Sequence, residues 1–230
     1  MPVVELTGVS HQFGEASARR TVLADVNVRF SESRVGVVGA NGSGKSTFAR
    51  LLNGLIIPTQ GDVTVDELST ARHGREIRRR VGFCFTDPDA QIVMPTVGED
   101  VAFSLRSSDL TKEQVAERVA QVLGQFGLAD LADRPSHLLS GGQKQLLALA
   151  AVLVSEPNLV VMDEPTTLLD MRNSRMIGDY VSGLETQVVL VTHHLELLDS
   201  FDRVLVFDEA RLVCDDTPAA AIEHYRRLMG

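Results

Sequence analysis

The sequence predicts an α/β fold, an α/β core interrupted by a helical insert. Three observations carry this. Val35–Val38, Leu159–Met162 and Val188–Val191 are short, continuously apolar runs, as expected of strands buried on both faces. Gly39–Thr47 follows the first run directly and feeds a helical stretch, Phe48–Asn53. Residues 86–155, between the first and second runs, read mainly as helix.

The remaining elements follow in order. Val3–Phe13 and Thr21–Phe30 read as strands with alternating or β-branched apolar positions, joined by a polar loop, Gly14–Arg20. Gly61–Asp66 is a further strand, set off by Pro58 and Gly61. His73–Arg80 is basic and reads as a solvated face before the strand Val81–Phe85. Thr111-Lys112-Glu113-Gln114 is a capping box, with Val115, Val119, Val122 and Phe126 at helical spacing behind it. Val204–Phe207 and Arg211–Cys214 read as a closing hairpin. Thr217–Met229 reads as a final helix, capped by Thr217 with Pro218 at its first position. One domain is expected over 1–230, with 1–85 and 156–230 as core and β subdomain and 86–155 as the helical subdomain.

Composition limits the function classes. At 44 % apolar, the 230 residues can bury a full core. A net charge of −9 argues against broad nucleic-acid binding and against direct adhesion to an anionic lipid surface. The longest apolar run, Leu146–Val154, is too short to span a bilayer, and no secretory signal is visible. Work at a membrane would need another protein to hold this one there. Cys84 and Cys214 match no metal spacing and read as reduced thiols.

Gly39-Ala40-Asn41-Gly42-Ser43-Gly44-Lys45-Ser46, followed by Thr47, fits the phosphate-binding pattern G-x-x-x-x-G-K-[ST] in its strand–loop–helix context. Its glycines let backbone N–H groups surround a β-phosphate, Lys45 adds positive charge, and the Ser46 hydroxyl is placed for Mg²⁺. Leu159–Glu164 delivers two acids at a strand end. Asp163 is expected to hold Mg²⁺ through water, and Glu164 to act as general base on the attacking water. His193, after another core strand, is expected to contact the γ-phosphate, and His194 reads as a surface or capping residue. The Phe13 ring is placed to stack on adenine, with core packing as the competing role. Leu139-Ser140-Gly141-Gly142-Gln143 is a second glycine-rich turn before a helix and can also cradle phosphate. Two cradles with one phosphate-binding loop suggest that each serves a different ATP, so the working unit would be a dimer.

These residues resemble the ATP-binding cassette (ABC) ATPases over nearly the whole chain. Phe13 looks like the A-loop aromatic, Gly39–Thr47 like Walker A and Leu139–Gln143 like the ABC signature. Leu159–Glu164 is similar to Walker B with its catalytic glutamate, Leu168-Leu169-Asp170 to the D-loop, and Thr192-His193 to the switch histidine. The resemblance implies an ABC cassette: a RecA-like P-loop core with an antiparallel β subdomain and a helical insert. It further implies ATP and Mg²⁺ as ligands and catalytic roles for Lys45, Glu164 and His193. Within the family, Asp87-Pro88-Asp89-Ala90-Gln91-Ile92-Val93 and the following Pro95–Phe103 resemble the energy-coupling factor (ECF) and cobalt-type importers. The biotin-transporter ATPase looks most similar.

The resemblance implies a cytoplasmic-face subunit that touches a transmembrane coupling protein through Asp89, Gln91 and Asp170. A substrate-binding membrane subunit and a second ATPase copy, head to tail, complete the implied assembly. An exporter subunit is the nearer alternative and a soluble ABC protein acting on DNA or ribosomes the more distant one. A non-hydrolysing adaptor would lack the glutamate at 164. One position departs from the family: Thr86 stands where the Q-loop glutamine is found. Threonine is shorter, and would reach the metal only through an intervening water.

Overall fold

In a computed structural model of the chain, residues 1–14, 19–167 and 169–230 are described. Part of the predicted Gly14–Arg20 loop, and Leu168 of the D-loop-like run, lie outside them.

Two sheets organise the molecule. β1 (Val4–Phe13), β2 (Arg20–Phe30), β4 (Gln60–Val65) and the short β5 (Leu68–Ser69) form an antiparallel sheet in the order β2-β1-β4-β5. The second sheet has six strands, in the order β10-β9-β3-β8-β7-β6. β3 (Arg34–Gly39), β6 (Val81–Cys84), β7 (Leu159–Asp163), β8 (Gln187–Val191) and β9 (Arg203–Asp208) run parallel; β10 (Arg211–Asp216) turns back antiparallel on β9.

The apolar runs are continuous because this sheet is covered on both faces. Along β7, Leu159 and Val161 join a core shared with the four-stranded sheet and α1 (Lys45–Leu52). Val160 and Met162 point the other way, into a core built from α3 (Val97–Ser104), α4 (Lys112–Gln125), α5 (Gly141–Leu153), α6 (Met171–Gly183) and α7 (Pro218–Met229). Val188 and Leu190 alternate with Val189 and Val191 on β8 in the same way. Parallel pairing in this register brings the carboxyl ends of β3, β6, β7 and β8 to one edge, where ligands of open α/β sheets bind.

Several local expectations change. His73–Arg80 is a helix, α2 (Gly74–Arg80), not only a charged face. Ile77 alone is buried in it, so its sequence carries no apolar period. α6 has its buried Ser174, Ile177 and Val181 at helical spacing, with a serine in place of one apolar residue. The stretch 86–155 contains more loop than expected: only α3, α4 and α5 are α-helices, separated by bends and short 3-10 turns. Thr217 precedes α7 as predicted, but its side chain makes no capping bond; Pro218 occupies the first turn. The capping box of α4 forms in full: Thr111 Oγ1 accepts from the Gln114 N–H, and Gln114 Oε1 accepts from the Thr111 N–H.

Candidate active site

A cleft of about 410 Å³ opens at the carboxyl edge of the parallel strands. Its floor is the loop between β3 and α1. Gly44 sits at the helix N-cap with φ 108°, and a Cβ there would lie 2.4 Å from the Val22 carbonyl oxygen. Only glycine fits that backbone, and the first turn of α1 is left open toward the cleft. Lys45 is buried, its Nζ donating to the Gly39 and Ala40 carbonyls at 2.8 and 2.9 Å. Burial lowers its pKa, opposed by the nearby Glu164 and Asp163 carboxylates. The Ser43 hydroxyl is buried with no hydrogen-bond partner among the described residues. An unpaired hydroxyl, an ammonium and a helix N-terminus form a site suited to a polyanion.

The two acids part in role as soon as β7 ends. Asp163 is 1 % exposed. Its Oδ1 accepts the Ser46 hydroxyl at 2.9 Å and its Oδ2 lies 3.7 Å from Arg50 Nη2. Burial raises its pKa; Ser46, Arg50 and Lys45 pull it back. Ser46 and Asp163 thus present two hard oxygens side by side, a donor pair that suits Mg²⁺ beside bound phosphates. Glu164 leaves the strand with φ 57°, a left-handed conformation. Such a backbone costs a residue with a Cβ on the order of 1–3 kcal/mol and persists where its surroundings over-determine it. Its Oε1 lies 2.7 Å from His193 Nε2, and its Oε2 accepts the Thr167 hydroxyl at 3.0 Å. The structure therefore brings Lys45, Ser46, Asp163, Glu164 and His193 together. Thr167, Arg20 and Arg50 border the same site. No motif flags Thr167; Arg20 ends the stretch Gly14–Arg20 that reads only as loop, and Arg50 lies in the helical stretch Phe48–Asn53 with no motif of its own.

Other predicted residues lie elsewhere. Phe13 is 47 % exposed and meets His11 edge-on at 4.6 Å between ring centroids. It does not line the cleft, but its cross-strand neighbour Arg20 does. Ser140 caps α5 in a reciprocal box with Gln143; behind the cap Gly141 is exposed, whereas Gly142 is buried against the Asn173 side chain. None of Ser140–Gln143 lines the cleft of its own chain. Thr86 does line it, but its hydroxyl donates to the Asp163 backbone carbonyl at 2.7 Å.

The expected partner-facing residues divide. Gln91 is turned inward: Oε1 accepts from the Phe85 N–H at 3.1 Å and Nε2 donates to the Ala148 carbonyl at 3.0 Å. Both polar ends are satisfied by this chain, which leaves little for a partner. Asp89 is exposed and paired with Lys144 at 2.6 Å. Asp170 is exposed and caps α6 through the Asn173 N–H.

Residues 23–167 match the family profile described as ABC transporter. The chain belongs to the ABC transporter family. It is an ATP-binding subunit of an ABC transporter, and an ATPase. The biotin transport ATP-binding protein BioM of Rhizobium etli is 43 % identical over 94 % of this chain and 96 % of its own length. The energy-coupling factor transporter ATP-binding protein EcfA1 of Caldanaerobacter subterraneus is 38 % identical over 94 % of this chain and 81 % of its own length. Among solved structures, CbiO1 of Clostridium perfringens, part of the ABC transporter complex CbiONQ, aligns at TM-score 0.82 and 28 % identity over 98 % of this chain and 92 % of its own. These likenesses agree with the ECF-type reading of the sequence, and the fold is that of an ABC ATPase cassette. No helix among the described residues is long and apolar enough to cross a membrane.

Proposed function

We propose that this chain energises an ECF-type importer by hydrolysing ATP between two copies of itself, on the cytoplasmic face of the membrane. The transported compound would be a vitamin, biotin being one candidate, or a transition-metal ion. The likeness to BioM, EcfA1 and CbiO1 supports the class, as does the run Asp87–Val93. The observation that carries the mechanism is the separation of two phosphate-binding turns. Asn41, Gly42 and Gly44–Thr47 line the cleft with Glu164 and His193, while the first turn of α5 does not.

In this mechanism the loop amides and Lys45 hold the β- and γ-phosphates, and Arg20, which lines the cleft across the strand pair from Phe13, flanks the adenine. Ser46 and Asp163 would hold Mg²⁺, which when bound screens the phosphate charge. Glu164 takes a proton from the attacking water as its oxygen bonds to the γ-phosphorus and the bond to the ADP oxygen breaks. His193, 2.7 Å from Glu164, steadies that carboxylate and water. Ser140–Gln143 of a second copy adds N–H donors and a helix N-terminus to the γ-phosphate.

A transmembrane partner would dock in the groove of about 870 Å³ beside the helical region, where Arg75, Arg79 and Arg106 rim a floor containing Phe83, Leu110 and Val152. Replacing Lys45 by Ala tests the assignment. The variant is expected to lose ATP binding and substrate uptake while still co-purifying with its membrane partners from detergent. Unchanged nucleotide affinity would remove the phosphate role of this loop, and failure of the wild type to co-purify with any membrane protein would remove the transporter role.

A further inference from the structure

We propose that Thr86 is a positioning residue for hydrolysis, its hydroxyl clamping the peptide unit that carries Glu164. That peptide is held at both of its polar atoms. Its carbonyl, on Asp163, accepts the Thr86 hydroxyl at 2.7 Å. Its N–H, on Glu164, donates to the Val191 carbonyl at 3.0 Å. The two holds come from opposite sides, because β7 lies between β6, which leads into Thr86, and β8, which ends at Val191. Just here the backbone turns left-handed at Glu164, φ 57°. A glutamate relaxes from that region unless its neighbours prevent it. Rotation of this one peptide would carry the carboxylate away from His193 and Thr167, which it now meets at 2.7 and 3.0 Å.

Thr86 is itself held in place. The preceding Phe85 N–H is tied to Gln91, and Gln91 to the Ala148 carbonyl on α5. α5 begins with Ser140–Gln143. A continuous set of hydrogen bonds and backbone therefore links the helix that opens with the signature turn to the strained peptide of the base. With its proton given to the Asp163 carbonyl, the Thr86 hydroxyl serves geometry rather than metal capture.

The inference rests on Glu164 acting as general base, so the test includes that residue. Thr86→Val keeps the side-chain shape and removes the hydroxyl; Thr86→Ser keeps the hydroxyl. The valine variant is expected to lower kcat about tenfold or more with KM for ATP within about twofold, since misplacing a reacting group costs rate rather than binding. Serine should restore most of the rate. In a Glu164→Gln background, Thr86→Val should cause no further loss, because both changes act through one carboxylate. Wild-type kcat in Thr86→Val, a rise in KM alone, or a full further loss in the Glu164→Gln background would each overturn the proposal. Wild-type turnover in Glu164→Gln alone would overturn the general-base reading beneath it, a separately visible failure.

Discussion

Asp163 and Glu164 are neighbours in the chain and live in opposite surroundings. Asp163 is enclosed by the sheet, Ser46 and Arg50, whereas Glu164 reaches the cleft wall beside His193. Burial raises the Asp163 pKa, so the folded protein binds this proton more tightly than the unfolded chain does. The contribution of this group to stability is therefore greatest at low pH and falls as pH rises through the carboxylate range. Where Asp163 is ionised, its buried charge opposes folding. Asp163→Asn should raise the melting temperature of the nucleotide-free protein, while abolishing turnover. Thermal melts at pH 7.5 and near pH 4 check this, the gap between variant and wild type closing at the lower pH. The sequence made this residue pair legible, because four apolar residues followed by two acids is a strand delivering carboxylates. It could not show that Thr86, far away in sequence, ends on the carbonyl between them. That bond depends on β6 pairing with β7, a long-range fact with no local signal.

At the scale of elements, what was legible follows from whether the local pattern and the tertiary environment agree. β3, β7 and β8 read clearly because both faces are covered and every residue of the run is apolar. α4 read clearly because a capping box announces its start and an apolar stripe continues it. α2 was hidden because arginines dominate a helix that buries only Ile77. α6 was hidden because a serine occupies one of its three buried positions. At the α4 cap, Thr111→Ala should cost about 1 kcal/mol. Since Thr111 does not line the cleft, kcat should be unchanged while the melting temperature falls by about 2–4 °C. Thr111→Ser should recover the loss, and a melt series on the three proteins measures it. Gln91 shows the limit of motif reading. Its neighbourhood resembles that of ECF-type importers, yet its side chain serves inside the molecule as a stitch from the residue after β6 to α5.

Across the whole molecule, the proposed mechanism makes the site of one chain incomplete without a second copy. The cleft is lined by Lys45, Ser46, Glu164 and His193 and, among the described residues, by none of Ser140–Gln143. The net charge of −9 would oppose association of two copies without a ligand between them. ATP, bound by the loop of one copy and the α5 turn of the other, would bridge them, and hydrolysis would release them, a two-state motion biased by its ligand. The most direct measurement is the oligomeric state of Glu164→Gln with and without MgATP, by sizing with light scattering. The variant should be monomeric alone and dimeric with MgATP, because ATP is held and not consumed; a variant that stays monomeric at high protein concentration and saturating MgATP would contradict the account.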